Sequence, residues 1–401
     1  MNRPPMPLAV LVALILPVVM TAQGKAVPAD KSLSTYMDRK LAELNLVGAG
    51  IGVIHPDGTT WVGGFGLANM EQGIRASGDT IALWASSSKV VTGAAAMKAM
   101  ETKGIGLDTP VNAYLPFKVV NPNFPGKAIT FRMLLTHTSS ILFDLNTATS
   151  LYVNGDASMP LGEFLREYLV PAGRFYKPTN YSASVPGSVW VYSNINASLL
   201  GYLVERITGT PFNEYCRKAL FNPLGMPEAS WFLRDIDVSH IAVQYNAVQA
   251  PGKSRRVPDY GWPGYPDGML RCSAKEMLRL MAALLSGGRL DGKQVLAPET
   301  VVEMFKPQGI DPTQLKGRSS LVSLDMGLVW RLLDLDGRRI WSHNGNGDGM
   351  ATAVLLDDKA KSAAVVWITG GVLETTEGQA FFADLHHRLL GEMERDGLPS
   401  P

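Results

Sequence analysis

Hydrophobic and polar positions along this chain follow two different periods, and the order in which those periods succeed one another predicts the architecture. Between residues 32 and 46, Leu33, Tyr36, Met37, Leu41 and Leu44 recur at the spacing of one helical face. Residues 47–54 are an apolar run, His55-Pro56-Asp57-Gly58 has turn composition, and the apolar pattern returns over 59–67, which predicts a β-hairpin bent at Asp-Gly. A helix of small apolar residues follows Trp84 and ends near Lys103-Gly104, a basic last turn before the glycine that commonly closes helices. From Leu107 onward turns and helices dominate, with helices predicted over 160–169, 195–208 up to Gly209, 211–220, 273–285 up to Gly287-Gly288, and 298–305. Period-two alternation resumes at 326–335, 338–343, 350–356 and 363–369, with turns at Asp336-Gly337 and Asp357-Asp358-Lys359, and a helix over 379–394 closes the pattern.

Strands at both ends and helices between them predict an α/β (α+β) fold: one antiparallel sheet built from the two ends of the chain and flanked by helices, plus an inserted all-helical lobe. The sheet lobe is assigned to about 27–106 and 300–398 and the helical lobe to about 107–299, together a single domain over 27–398. The extreme N-terminus is a different kind of segment. Arg3 is its sole early charge, Leu8 to Met20 is an apolar run too short to span a bilayer comfortably, and Ala22, Gly24 and Ala26 offer cleavage points. Residues 1–24 therefore read as a signal peptide, and the mature chain is expected to be periplasmic or secreted without a membrane span; an uncleaved anchor is the competing reading.

Composition removes several function classes. The 401 residues are 46% hydrophobic and 18% charged with a net charge of +1, which offers no basic stripe, so no nucleic-acid partner is expected. Cys216 and Cys272 are too few for a disulfide framework and are expected to be buried and free. The histidines at 55, 137, 240, 343, 386 and 387 show no metal-ligand spacing, and neither a metal nor another cofactor is expected.

Candidate chemistry begins at Ser86 and Lys89, three apart at the mouth of the second helix and so on one face. A serine hydroxyl becomes a nucleophile when a neighbouring base takes its proton, and a first-turn amide such as Ser86 N–H is free to serve in an oxyanion hole. A chain this long holds roughly one Ser-x-x-Lys by chance, so the motif alone reads as a helix start with a solvent-reaching lysine. Two further motifs change that. Tyr192-Ser193-Asn194 stands where a turn enters the 195–208 helix and offers a second acid–base group and an amide. A rival, Tyr152-Val153-Asn154, lies in loop-like sequence. His343-Asn344-Gly345 ends a strand, where glycine permits close backbone approach.

In this order the three motifs resemble the serine β-lactamase and penicillin-binding-protein superfamily, specifically its class C-like, esterase-like branch. Leu134-Leu135-Thr136-His137-Thr138-Ser139, Asn222-Pro223-Leu224-Gly225-Met226 and Leu284-Leu285-Ser286-Gly287-Gly288 extend the resemblance over nearly the whole mature chain. It implies a β-lactamase/transpeptidase-like fold with the site between the lobes. By that resemblance Ser86 is the acylated nucleophile and Lys89 its proton acceptor or electrostatic partner. Tyr192 activates the deacylating water and protonates the leaving group, and Asn194 orients the substrate carbonyl. His343, Asn344 and Gly345 form the strand edge along which substrate lies, and the main-chain N–H groups of Ser86 and Asn346 make the oxyanion hole.

Two departures from the family pattern matter. Where β-lactamases carry Lys-Thr-Gly this chain has His343-Asn344-Gly345; histidine is mostly neutral at pH 7 and asparagine lacks the hydroxyl, so the grip on a substrate carboxylate is weakened. Ser140 stands where many relatives have glycine, so a different backbone is expected there. The aromatic-rich stretches 141–186 and 260–265 are expected to wall the pocket. The resulting expectation is an exported, carboxylesterase-like serine hydrolase acting on small esters or amides. The alternatives are a D-amino-acid peptidase (DD-carboxypeptidase) or β-lactamase and, from another class, a non-hydrolytic binding or sensor module.

Overall fold

The structure, a computed structural model, describes residues 33–247, 255–315 and 321–394. The segment expected to direct export lies outside the described residues. Strands β1 (Gly48–Ile54) and β2 (Thr60–Asn69) form the predicted hairpin, and β3 (Ile74–Arg75) extends it. The other end of the chain supplies β4 (Val322–Met326), β5 (Arg331–Leu335), β6 (Arg338–Gly347), β7 (Met350–Asp357) and β8 (Ser362–Thr369). All eight join one antiparallel sheet in the order β4-β5-β6-β7-β8-β1-β2-β3. Its two halves are joined by β1 against β8, from Gly48 opposite Thr369 to Ile54 opposite Ala363.

Five helices cover the sheet or carry the groove: α1 (Leu33–Glu43), α2 (Lys89–Lys103), α3 (Asn194–Thr208), α4 (Ala274–Leu285) and α5 (Thr376–Glu394). On one face of the sheet, Leu33 and Met37 of α1 and Leu385 and Leu389 of α5 share a core with Ile51, Val366 and Ile368. On the other, Met277, Leu278 and Met281 of α4 share a core with Val365 and Trp367 that continues into α2 and α3. Covered on both faces, β1, β7 and β8 are buried along their whole length. Each fully buried large apolar side chain contributes about 1.5–3 kcal/mol. Local signals end the helices as their composition predicts. Ser273 and Glu276 close a capping box on α4, and Gly104 stops α2 at φ +64°, a conformation that costs glycine little.

One element differs from the periodic reading. Residues 326–335 are not one strand: β4 ends at Met326, β5 begins at Arg331, and the chain reverses between them, with the Gly327 N–H donating to the Trp330 carbonyl at 2.7 Å. Leu328, Val329 and Trp330 are all buried, and Val329, at φ +67°, donates its N–H to the Leu135 carbonyl (2.7 Å) while packing on Gly93 of α2. A turn tucked into the core carries no polar signature, so the alternation runs straight through it. The helix expected over 211–220 is also interrupted, Phe212–Cys216 giving way to a wider turn at Arg217–Phe221. Cys216 and Cys272 are both buried and free.

Candidate active site

The segment that carries Ser86 is built against the sheet. Ile81–Leu83 pairs with Arg271–Ser273, and Trp84 donates its amide to the Leu270 carbonyl (2.8 Å) and its indole N–H to the Cys272 carbonyl (2.9 Å). Ala85 turns the chain at φ +44°, a region disfavoured for any residue with a Cβ, and a single tight turn, Ala85–Ser88, runs into α2. Ser86 is half-buried, Lys89 is fully buried, and Lys89 Nζ donates to Ser86 Oγ at 3.1 Å and to the Asp267 carbonyl at 2.6 Å. Ser87 Oγ donates to the His343 carbonyl (3.1 Å), while Thr352 Oγ1 of β7 donates to the Trp84 carbonyl (2.8 Å) and lies 2.9 Å from Ser87 Oγ. The nucleophile turn is therefore clamped to the sheet at both ends.

Tyr192 enters beside Lys89 from the residues leading into α3. The Lys89 ammonium lies 5.1 Å from its ring centroid, and the rings of His137 and His343 lie at 4.6 and 6.3 Å. Asn194 opens α3, and its Oδ1 is buried with no protein partner among the described residues, the condition of a group kept for a ligand. The rival Tyr152 instead packs edge-on against Tyr260 (5.3 Å) and beside Trp262 (5.8 Å), in an aromatic wall.

The register of β6 decides which of its groups face Ser86. Asp336 and Gly337, at φ +54° and +78°, form a two-residue hairpin loop closing on Leu335 and Arg338. Residues 338, 340 and 342 therefore direct their main-chain groups to β5, and 343, 345 and 347 direct theirs to β7. Pairing with β5 stops at Ser342, so the main-chain groups of Asn344 and Asn346 face an open edge. The Asn344 carbonyl accepts the His343 Nδ1–H (2.9 Å), while the Asn346 N–H points along the edge beside the Ser86 turn. Gly345 makes that approach possible: a Cβ there would stand 2.5 Å from the Trp84 carbonyl oxygen and 3.1 Å from Ser86 N. The same alternation puts His343 on the groove face and sends the Asn344 side chain to the opposite face, where it meets His386 Nε2 of α5 at 3.1 Å. Asn344 thus stands on the expected strand edge by its main chain, while its side chain points to the opposite face.

Burial controls the charges. Burial, then the Lys89 ammonium, pushes His343 down to about 3, so the ring is neutral, with its proton on Nδ1. Burial, Lys89 and His343 likewise hold His137 well below the usual range. Asp267, whose carbonyl receives Lys89, has its carboxyl pushed up to about 7 by burial, against the opposing pull of Lys89. Ser198 Oγ donates to Asp267 Oδ2 (3.0 Å) and lies 3.0 Å from the Gly264 carbonyl; its bond to the carboxyl opposes the upward shift without overcoming burial. Arg331, whose charge reaches both Tyr192 and His343, bonds Ser323 Oγ and the Leu315 carbonyl and forms no ion pair with a carboxylate among the described residues. Ser140 adopts φ +66°, the left-handed turn that glycine favours, with Asn121 Nδ2 donating to its hydroxyl (2.9 Å).

The structure brings Ser86, Lys89, Tyr192, His343 and the edge at Gly345 and Asn346 together, with Asn194 two residues beyond Tyr192 at the start of α3. It adds His137, Asp267 and Arg331, to which sequence reasoning assigned no role. Asp267 left one trace, a lone carboxyl in the otherwise uncharged run 260–270. A cavity of about 570 Å³ bordered by Met159, Tyr202, Glu205, Phe232, Trp262 and Tyr265 includes none of the groove residues.

The beta-lactamase family profile matches residues 33–387. Penicillin-binding protein 4 of Amycolatopsis lactamdurans is 26% identical over 345 residues, 83% of this chain and 82% of that protein. Of other curated relatives the chain spans between 47% and 64% of the length. Among solved structures, EstCE1, a hydrolase with promiscuous acyltransferase activity, superposes with a TM-score of 0.71 at 17% identity over 90% of this chain and 97% of its own. A D-amino acid amidase from Ochrobactrum anthropi SV3 gives 0.69 at 19% identity over 89% and 96%. At such identities the structural likeness is one of fold. No helix among the described residues is long and apolar enough to cross a membrane.

Proposed function

Because this chain belongs to the beta-lactamase family of serine hydrolases, we propose that it is an exported hydrolase that forms an acyl-enzyme on Ser86 and turns over small esters or amides in the manner of a carboxylesterase. Ser86 Oγ attacks the substrate carbonyl while its proton passes to the Tyr192 oxygen, with the Lys89 ammonium beside both as electrostatic partner. The carbonyl oxygen becomes negative between the Ser86 and Asn346 N–H groups. Tyr192 returns a proton to the leaving alcohol or amine. It then takes one from the water that attacks the acyl-enzyme, releasing the acid and restoring the Ser86 hydroxyl.

The observation that carries the ester preference is His343. A neutral ring whose Nδ1–H is spent on the Asn344 carbonyl supplies no cation for a carboxylate at the place where β-lactamases keep lysine. The fold shared with EstCE1, a hydrolase with promiscuous acyltransferase activity, supports acyl transfer as the chemistry. Export is supported by the apolar run Leu8 to Met20 behind Arg3. A second reading, a D-amino-acid peptidase or β-lactamase, is favoured by Arg331, a guanidinium whose charge reaches Tyr192 and His343 and which forms no ion pair among the described residues, and by the penicillin-binding relative.

The test is turnover of p-nitrophenyl acetate and butyrate beside nitrocefin and a D-alanyl-D-alanine peptide, with fluorophosphonate labelling located by mass spectrometry. Ester turnover exceeding nitrocefin turnover, with the label on Ser86, is the expected result, and Ser86→Ala should lose at least ~10³-fold while keeping its fold. Turnover of nitrocefin or release of D-alanine far exceeding the esters overturns the ester reading. A label elsewhere overturns the nucleophile. Recovery of the protein in the cytoplasm with its first 24 residues intact overturns export.

A further inference from the structure

Tyr192 is 37% exposed, and the residue after it is still in extended conformation before α3 begins (Ser193 φ −144°, ψ 126°), so neither burial nor helix geometry fixes its ring. The main-chain hydrogen bonds on its two flanks converge on one residue 55 positions earlier. The Val191 N–H donates to the His137 carbonyl at 2.9 Å, and the Ser193 N–H donates to His137 Nδ1 at 3.3 Å, so the residues on both sides of Tyr192 are tied to the same histidine. The imidazole lies 4.6 Å from the Tyr192 ring, opposing its withdrawal from Lys89, and meets the Trp190 ring edge-on at 6.4 Å.

His137 is itself held. Ser139 Oγ donates to Asn196 Oδ1 at 2.6 Å, which settles the orientation of that amide and turns its Nδ2 to donate to His137 Nδ1 at 3.2 Å. Two donors on Nδ1 place the ring proton on Nε2. The residue is 2% exposed and sits at φ +57°, a conformation disfavoured for a residue with a Cβ that persists where the surroundings impose it. Nδ1 is thus already engaged by two protein donors, and Nε2 is buried with no protein partner among the described residues.

We propose that His137 is the positioning residue for Tyr192, holding the 191–193 segment and the phenol ring against Lys89 while exchanging no proton itself. This rests on the reading of Tyr192 as the acid–base group. Displacing that hydroxyl by about 1 Å is expected to cost on the order of 10²-fold in turnover.

The experiment uses the full chain and a p-nitrophenyl ester. His137→Asn keeps an acceptor at the Nδ1 position and, of the residues with a Cβ, tolerates positive φ best, so it should retain kcat within ~5-fold. His137→Leu removes the acceptor and should lower kcat by ~10²-fold with KM little changed, while fluorophosphonate still labels Ser86. The double variant His137→Leu/Tyr192→Phe should be no slower than Tyr192→Phe alone, because the loss passes through one hydroxyl. If leucine abolishes the label and the cooperative melt, His137→Gln, whose amide reaches past the Nδ1 position, takes its place in the same cycle. Full kcat without the acceptor, additive losses in the double variant, or asparagine as poor as leucine overturns the proposal. A Tyr192→Phe variant with full turnover would instead overturn the role of Tyr192 itself.

Discussion

Gly345→Ala puts the geometry of the groove to a quantitative test. The added Cβ would lie 2.2 Å from Thr352 Oγ1, 2.5 Å from the Trp84 carbonyl oxygen and 3.1 Å from Ser86 N. Thr352 can rotate away only by giving up its donation to the Trp84 carbonyl (2.8 Å) and its contact with Ser87 Oγ (2.9 Å), a cost of about 1 kcal/mol for each bond lost. The Trp84 oxygen is backbone and must retreat by about 0.5 Å to reach the roughly 3.0 Å minimum that real Cβ contacts keep, carrying Ser86 away from the strand edge. That motion opens the oxyanion hole along its own axis. Turnover of p-nitrophenyl butyrate should fall by ~10–10²-fold, equivalent to about 1.4–2.7 kcal/mol of transition-state stabilisation, and the melt should show about 1–3 kcal/mol of overpacking strain. Gly347→Ala is the control: its nearest neighbours are the Tyr260 hydroxyl at 3.0 Å, the far end of a side chain, and Ala85 Cβ and Leu83 Cδ2 at 3.4 and 3.5 Å, ordinary contact distances that require no movement of the Ser86 turn. A folded Gly345→Ala enzyme with the kcat of the parent would refute the assignment of the Ser86 turn and the Gly345–Asn346 edge to one oxyanion site.

Tyr192→Phe should lose most of its ester turnover, whereas Tyr152→Phe, altered within the aromatic wall of Tyr260 and Trp262, should stay within ~3-fold of the parent; steady-state kinetics on both variants decides, and the reverse ranking would exchange their roles. Asp267→Asn tests the buried carboxyl by its pH signature. A carboxyl raised from 3.8 to about 7 adds stability that is fully present below pH 3.8 and is lost as the pH rises through 7. The amide, whose oxygen can still accept from Ser198 Oγ, should match the parent near pH 4 and exceed it by at most roughly 4 kcal/mol at pH 8. Denaturant midpoints at the two pH values provide the measurement, and identical pH profiles would show that the carboxyl does not titrate in that range.

Much of the fold was legible because its signals act over a few residues. Asp336-Gly337 took the two positive φ values its composition promises, Ser273 and Glu276 capped α4, and Gly104 and Gly209 closed α2 and α3. The spacing of Ser86 and Lys89 likewise sufficed to put their side chains in contact. The turn at Gly327 to Trp330 was hidden because it is buried, and burial removes the polar residues by which turns are recognised.

The remaining features depend on contacts between residues far apart in the chain. His343 and Asn344 are neighbours in sequence, yet one faces the groove and the other faces α5, because hairpin register sets the parity of β6 and the cores on either face of the sheet choose which parity is inside. The hold of His137 on both flanks of Tyr192 joins segments 55 residues apart. The neutral His343 and the Asp267 carboxyl near 7 follow from water being excluded at those positions. The amino-acid sequence by itself determined the elements, their caps and the nucleophile pair, since these depend on side-chain period and on bonds spanning four residues or fewer. Only the tertiary structure decided which groups face Ser86 and with what charge, because distance across the fold and desolvation belong to the packed chain as a whole.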